Sequence, residues 1–578
     1  MKKILYHIVC VAGLVGGLTA CGDYLEVQPQ TEILEENFWN EKADVDNIVA
    51  GCYQAMQGDA ILKRMMIWGE FRSENVSAGS SNISNDDRNL EEILKENLKA
   101  TNPYTFWGDF YNVINRCNLV IARAPQVAAN DPSYSQSELK ATIAEVTAIR
   151  SLCYFYLIRA FRDVPYNNDV YVEDTQVMTL PAMPFNEVLD NLIADLEEIK
   201  GDAVKTYPKN KANYQTGRIT QEAINAMLCE MYLWKQDYAT CVHYADLVIE
   251  AKKEQEEERK QESTGMGVMT EDFYNGYPLI SNYSGMSTLP MPNAYDAIFG
   301  EGDSKETIFE LAFVKDNDNM PSNGAVSLFY GNAKVGMGFV RPSNVITNDV
   351  SASSYKIFTN EYDCRYDEAV SGSQIGKYAY RYGASVVNNS GTSEGFTLIS
   401  LYPEGKNKSN WIIYRLTDIM LMKAEALVQM AAVTDGSNAE VNAANKELFT
   451  EAFVLVNAIN KRSILQRPLK DTLKMNSYIN SRSLMEDLVL TERQRELMFE
   501  GKRWFDLVRR SQRDGNTNKL ASTATQKFSS TASLIRSKLE KMDAIYWPIN
   551  RDELKVNPNL KQNPAYGSGD EEGNYEKT

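Results

Sequence analysis

Between Thr491 and Arg510 the chain reads TERQRELMFEGKRWFDLVRR, which sets Glu492, Glu496, Glu500 and Asp506 among Arg493, Arg503 and Arg509. Two carboxylates at a fixed separation are what glycoside hydrolysis requires, one to protonate the leaving oxygen and one to attack or to activate water. Acids at three- and four-residue spacing are also what an amphipathic helix lays out on its charged side, paired with basic neighbours. Only two histidines are present, His7 and His243. Beyond the first 20 residues a Ser-His-Asp triad would therefore have one base to draw on, and a multi-histidine metal site lacks ligands. Asp316-Asn317-Asp318-Asn319 reads as a turn rather than a calcium loop. No metal and no cofactor is expected.

These side chains need a helix to hold them. Thr491 with Gln494 three residues later forms a capping-box pattern, which predicts a helix starting at Thr491. Leu497, Gly501, Trp504 and Val508 then recur at helical spacing, so one side should pack and the other should carry the charges. The order of residues is more specific than their spacing. E-R-x-x-E-L-x-F-E-G-x-R-W-x-D-L resembles the C-terminal signature of the SusD/RagB family, surface lipoproteins that capture nutrients for TonB-dependent transporters. Here the signature falls on Glu492, Arg493, Glu496, Phe499, Glu500, Gly501, Arg503, Trp504 and Asp506, and the resemblance implies a structural role for them.

At 578 residues, 43% hydrophobic and 24% charged, the chain can bury a large core. Its net charge of −18 makes nucleic acid and anionic membrane surfaces poor electrostatic partners. Residues 1–20 read as a secretory leader, with Lys2 and Lys3 ahead of a short glycine-rich apolar run. Leu18-Thr19-Ala20-Cys21 resembles a bacterial lipobox, which makes Cys21 the acylated residue and the membrane anchor. The alternative is an ordinary leader ending near an incidental cysteine. The following Cys21-Gly22-Asp23-Tyr24-Leu25-Glu26-Val27 looks like the family's opening, and implies an outer-membrane location facing the cell exterior. Cys52, Cys117, Cys153, Cys229, Cys241 and Cys364 lie in largely apolar helical patterns without a C-x-x-C pair, and read as buried free thiols.

The rest of the chain is mainly α, with tetratricopeptide-like hairpins as scaffold and an irregular loop-rich region for ligand. Phe106-Trp107 through Asn118 resembles a further family helix, and Ile143–Phe161 carries an aromatic stripe read as core. Small/large alternation from Gly217 to Ala245, and again from Trp411 to Arg462, gives two hairpins that must stack to bury their faces. Four such units are what the resemblance implies. Lys252–Glu262 reads as a solvated helix extension. The expected division is a leader over 1–20 and one domain over 21–578. Within that domain a helical part covers 21–250, a loop-rich insert 251–410, a C-terminal helical part with closing motifs 411–566, and a polar tail 567–578.

A sugar surface needs flat aromatic faces ringed by amide, carboxylate and guanidinium groups. Trp68 with Arg72, Glu74 and Asn75 runs into Ser/Asn/Asp-rich sequence, while Tyr283, Tyr295, Phe329 and Tyr330 lie in the insert. These eight are the candidate ligand residues. The expected function is therefore a non-catalytic surface receptor that binds an oligosaccharide or a peptide. It would hand the ligand to a SusC-like TonB-dependent transporter. A tetratricopeptide-like adaptor and a surface glycoside hydrolase are the alternatives.

Overall fold

The computed structural model describes residues 38–567 apart from 80–86, 172–178, 263–275, 283–292, 316–320, 332–337, 348–356, 359, 361, 372–373, 384–396, 401, 403–404, 432–442 and 465–471. The leader, Cys21, Tyr283 and the Asp316–Asn319 turn lie outside the described residues. The frame is a series of packed helices: α1 (Lys42–Met56), α2 (Asp59–Met66), α3 (Gly108–Asn130), α4 (Gln136–Phe161), α5 (Phe185–Ile199), α6 (Gln221–Lys235), α7 (Tyr238–Glu262), α8 (Leu416–Met430), α9 (Ala443–Ser463), α10 (Arg482–Leu497) and α11 (Arg503–Asp514). Local chemistry sets several starts. Ser135 and Glu138 form a capping box ahead of α4, and the Thr220 hydroxyl accepts from Ala223 N at the start of α6.

Helix hairpins stack side by side. The pair α6/α7 and the pair α8/α9 occupy the two stretches with tetratricopeptide-like alternation, and they meet through α7 and α8. Helices α3 and α4 form another hairpin, to which α1 and α5 add on either side. Helix α4 is apolar and long enough to cross a membrane by composition, yet it is packed inside the protein. Tyr154, Phe155, Tyr156 and Phe161 are all buried, as the stripe reading predicts, and each fully buried side chain of this size contributes roughly 1.5–3 kcal/mol. The six thiols named above are free and buried. Cys229 and Cys241 lie with their Sγ atoms 3.7 Å apart across the α6/α7 hairpin.

Two of the five antiparallel strand pairs among the described residues lace the frame together. β1 (Val76–Ala78) pairs antiparallel with β3 (Val340–Pro342), and β2 (Thr307–Leu311) pairs antiparallel with β4 (Trp411–Arg415). The stretch Trp411–Arg415, read from the sequence as the opening of a hairpin helix, is thus a buried strand. Its continuous apolar run suits a strand covered on both faces. The charge run Lys252–Glu262 is helical but not wholly solvated. Lys252 is buried against Glu222 at 3.0 Å, and Glu256 is buried beside Lys305 and Arg259.

The signature stretch is not one helix. Helix α10 starts at Ser481, ten residues ahead of Thr491, and the Thr491 hydroxyl donates to Asp487 O in mid-helix. The chain turns sharply after Leu497, with Phe499 and Gly501 at φ of 66° and 71°, and restarts as α11. The capping-box pattern misled because its partners lie elsewhere in the fold. The start of α11 is capped in trans, by the Glu70 carboxylate, which accepts from Phe499 N at 3.0 Å, Lys502 N at 3.3 Å and Arg503 N at 3.4 Å. Glu70 sits in a single wide π-helical turn, Ile67–Phe71, that continues α2.

The two turns touch backbone to backbone. A Cβ built on Gly69 would lie 1.8 Å from Gly501 O, so only glycine fits. Gly69→Ala is expected to lower unfolding free energy by about 1–3 kcal/mol or to block folding, because a backbone carbonyl cannot swing aside as a side chain can. Gly201→Ala, whose added carbon meets nothing within 4 Å, is the control. Urea denaturation of both variants checks this.

Candidate functional site

The structure places seven of the eight candidate ligand residues in the interior, which corrects the reading of a surface platform around Trp68. Trp68 is wholly buried, stacks on Phe110 at 5.0 Å and donates its indole N–H to Tyr104 O at 2.9 Å. The Arg72 guanidinium grips Glu96 through two hydrogen bonds of 3.1 and 2.9 Å, donates to the carbonyls of Ile545 and Ala544, and lies 4.3 Å from the Trp504 ring. Glu74 Oε1 accepts from Arg503 at 2.6 Å and from Gln494 at 2.8 Å. Asn75 donates to Glu70 at 2.7 Å and accepts from Gln494 at 2.7 Å. Tyr295 donates to Gly376 O at 2.6 Å, Tyr330 donates to Phe499 O at 2.9 Å, and Phe329 packs edge-on against Phe71. Each of these polar side chains is bonded within the protein, several to a residue more than 400 positions away.

The acids of the signature are equally committed. Glu496 receives Arg415 at 2.7 Å, Arg462 at 2.5 Å and Arg365 at 3.1 Å. Glu500 receives Arg415 at 2.7 Å and the buried Lys377 ammonium at 2.8 Å. Glu492 pairs with Arg365 and Arg495, and Asp506 with Arg493 and Arg509. Trp504 closes the set, buried and donating to Ile545 O. Burial alone would push the Glu496 carboxyl up. The arginines outweigh it: Arg462, Arg415 and Arg365 hold Glu496 well below the usual range. Lys502 and Arg493 likewise bring buried Asp418 down to about 2, and Arg509 brings Glu425 to about 2. Burial pushes Glu70 up to about 7, against the lowering effect of its hydrogen bonds from Asn75, Phe499, Arg503 and Lys502.

The hollow inside this lattice, lined by Tyr295, Phe299, Lys377, Arg415, Arg462 and Glu496, measures about 20 Å³. It admits one water and no sugar. Open space lies elsewhere. A cleft of about 630 Å³ runs between the ends of α4, α6 and α11 and the start of α5, and a second of about 390 Å³ continues from it along the closing segment. Both share Arg162, Asp163, Pro184 and Tyr546. A smaller pocket of about 190 Å³ opens over Glu74 and Arg503. Sequence reading missed the two clefts. Their walls come from six separate segments, and nothing in the order of residues joins those segments. Among the described residues no group of histidine, cysteine and acidic side chains is arranged to hold a metal ion.

Residues 305–566 match the model of the SusD family, and residues 23–233 match one described as starch-binding associating with outer membrane. The chain belongs to the SusD family. It is 27% identical to SusD-like protein P38 of Formosa agariphila over 96% of this chain and 97% of that protein, and 23% identical to SusD-like protein P2 of the same organism over 88% and 91%. A SusD superfamily protein from Bacteroides thetaiotaomicron shares the fold at a TM-score of 0.58 and 22% identity, covering 92% of this chain and 99% of its own. A laminarin binding SusD-like protein does so at 0.56 and 17%, covering 91% and 100%. The helical frame with tetratricopeptide-like hairpins is thus the SusD-like fold.

Two outcomes follow from the buried lattice of this SusD-like chain. Glu496→Gln strands three arginines without their shared counter-charge, so a loss of about 3–5 kcal/mol is expected in urea unfolding. Acid should also undo the fold. Asp418 and Glu425 have folded pKa values near 2, below their unfolded values, so their stabilisation is present above about pH 4 and is lost as pH falls toward 2. Glu70, raised to about 7, works the other way between about pH 4.5 and 7. A Glu70→Gln variant should therefore show less decline in stability across that upper window than the parent, read from melting temperature against pH.

Proposed function

We propose that this SusD-like protein is a lipid-anchored receptor on the outer membrane. It captures an oligosaccharide, or a peptide, outside the cell and passes it unaltered to a SusC-like TonB-dependent transporter. Residues 1–20 serve as leader and Cys21 carries the acyl chains. The observation that supports binding without turnover is the fate of the acids. Glu492, Glu496, Glu500 and Asp506 are sealed from solvent and each is held by an arginine or lysine. A hydrolase needs two carboxyl groups facing the scissile bond across open space, and this cluster faces only its own cations.

The family description of starch binding and outer-membrane association, and a fold-mate named for laminarin binding, favour a glycan over a peptide. The packed frame suits the task, because a binding surface that is already formed loses little ordering entropy on capture. Isothermal calorimetry of the full chain against neutral glycans, followed by mass spectrometry of the recovered ligand, tests the reading. A saturable signal with the glycan returned intact is expected. Shortened products that disappear on substitution of a single carboxylate would contradict it. Radiolabelled palmitate should enter the wild-type chain and not Cys21→Ala.

A further inference from the structure

A strained turn of the backbone sits at the mouth of the cleft of about 630 Å³. After α4, Arg162 adopts φ 72° and ψ −75°, and Phe161 O accepts from Asp163 N at 3.1 Å. This is the rare γ-turn of positive φ, a shape that glycine takes freely and an L side chain resists. The surroundings hold it there. Trp547 N donates to Ala160 O at 2.9 Å, while the Arg162 guanidinium bonds Asp543 at 2.7 Å and Asp163 at 3.1 Å. The result is an arginine that is still 38% exposed and poised 5.7 Å from the Tyr546 ring, at the point where the two clefts meet. A residue kept where glycine would be easier marks a position whose side chain is in use.

The cleft walls say what would use it. Tyr546, itself buried, accepts from Gln512 at 2.6 Å at the back of this wall. Phe185 and Trp234, both buried, lie against each other at 5.7 Å behind the opposite wall. The charges cancel nearly completely: Arg162 sits between two carboxylates, and Lys235 pairs with Asp190 at 2.7 Å. There is no positive field to draw a phosphate or an acid. A wall dense in both donors and acceptors, neutral overall and backed by buried aromatic rings, matches a ligand whose every hydroxyl can give and take a hydrogen bond. Clefts of about 630 and 390 Å³ joined end to end suit an extended chain of such units.

We infer that the groove running across Arg162 is a binding site for a neutral oligosaccharide. This rests on the glycan-binding reading above and names a place for it on the helical frame. Arg162 contacts the ligand, and the strained turn serves to aim the guanidinium.

The full chain is titrated with maltohexaose, laminarihexaose and xylohexaose, and with an uncharged hexapeptide, and hydrogen exchange is followed on and off ligand. At least one of the sugars is expected to bind and to protect segments 181–190 and 542–549. Arg162→Gly should weaken that sugar at least tenfold while the melting temperature stays level or rises, since the strain is relieved. A purely structural arginine would instead lower it. Asn186→Trp, an exposed position on the cleft wall, should block binding without unfolding, and decides the matter if the first variant misfolds. Sugar binding untouched by both variants would overturn this site and leave the glycan-receptor reading standing. Failure of all three sugars would contradict both, and peptide alone in the groove would overturn the sugar assignment.

Discussion

The Glu70 carboxylate, wholly buried, holds the start of a helix more than 400 residues away in the chain. Much of the rest depends on that grip. It docks the π-helical turn of Ile67–Phe71 onto the turn at Phe499–Lys502, and in doing so brings Glu74 to Arg503 and Asn75 to Gln494. Behind it, Glu496 and Glu500 gather arginines and a lysine from Arg365, Lys377, Arg415 and Arg462. Buried ion pairs of this kind are weak evidence for high stability, since desolvation offsets much of the attraction. What they enforce is register. A charge left without its partner in the interior is costly enough that few other arrangements of the same segments can compete.

The helical class, the two tetratricopeptide-like hairpins and the buried stripe of α4 were legible because helical periodicity is a local property. The signature was legible as an ordered string, yet its shape was not. Thr491 and Gln494 look like a cap only when their real partners, Asp487 one turn back and Glu74 with Asn75 far upstream, are out of view. Trp68 misled for the same reason. Beside Arg72, Glu74 and Asn75 it resembles an exposed polar platform, but Glu96, Arg503 and Gln494 come in to neutralise that polarity. A charged residue read alone suggests solvent. Read with a counter-charge hundreds of positions away, it becomes interior.

The clefts were illegible for a related reason. Arg162, Phe185, Trp234, Gln512 and Tyr546 belong to five segments that share no pattern. Only the stacking of helix ends brings them together. The division of labour that results is plain in physical terms: ion pairs and apolar stripes fix a rigid frame, and the open, charge-balanced surfaces lie where helices end. Helix and segment ends can change their side chains without disturbing the lattice.

The central claim is that the charged residues of the signature hold distant segments of the chain together. The coupling between Glu74 and Arg503, 429 residues apart and 2.6 Å from contact to contact, tests it most directly. A double-mutant cycle with Glu74→Gln and Arg503→Met, read by urea unfolding, should give an interaction energy near the upper end of the roughly 0.5–3 kcal/mol range for contacting pairs. An interaction energy close to zero would contradict the account.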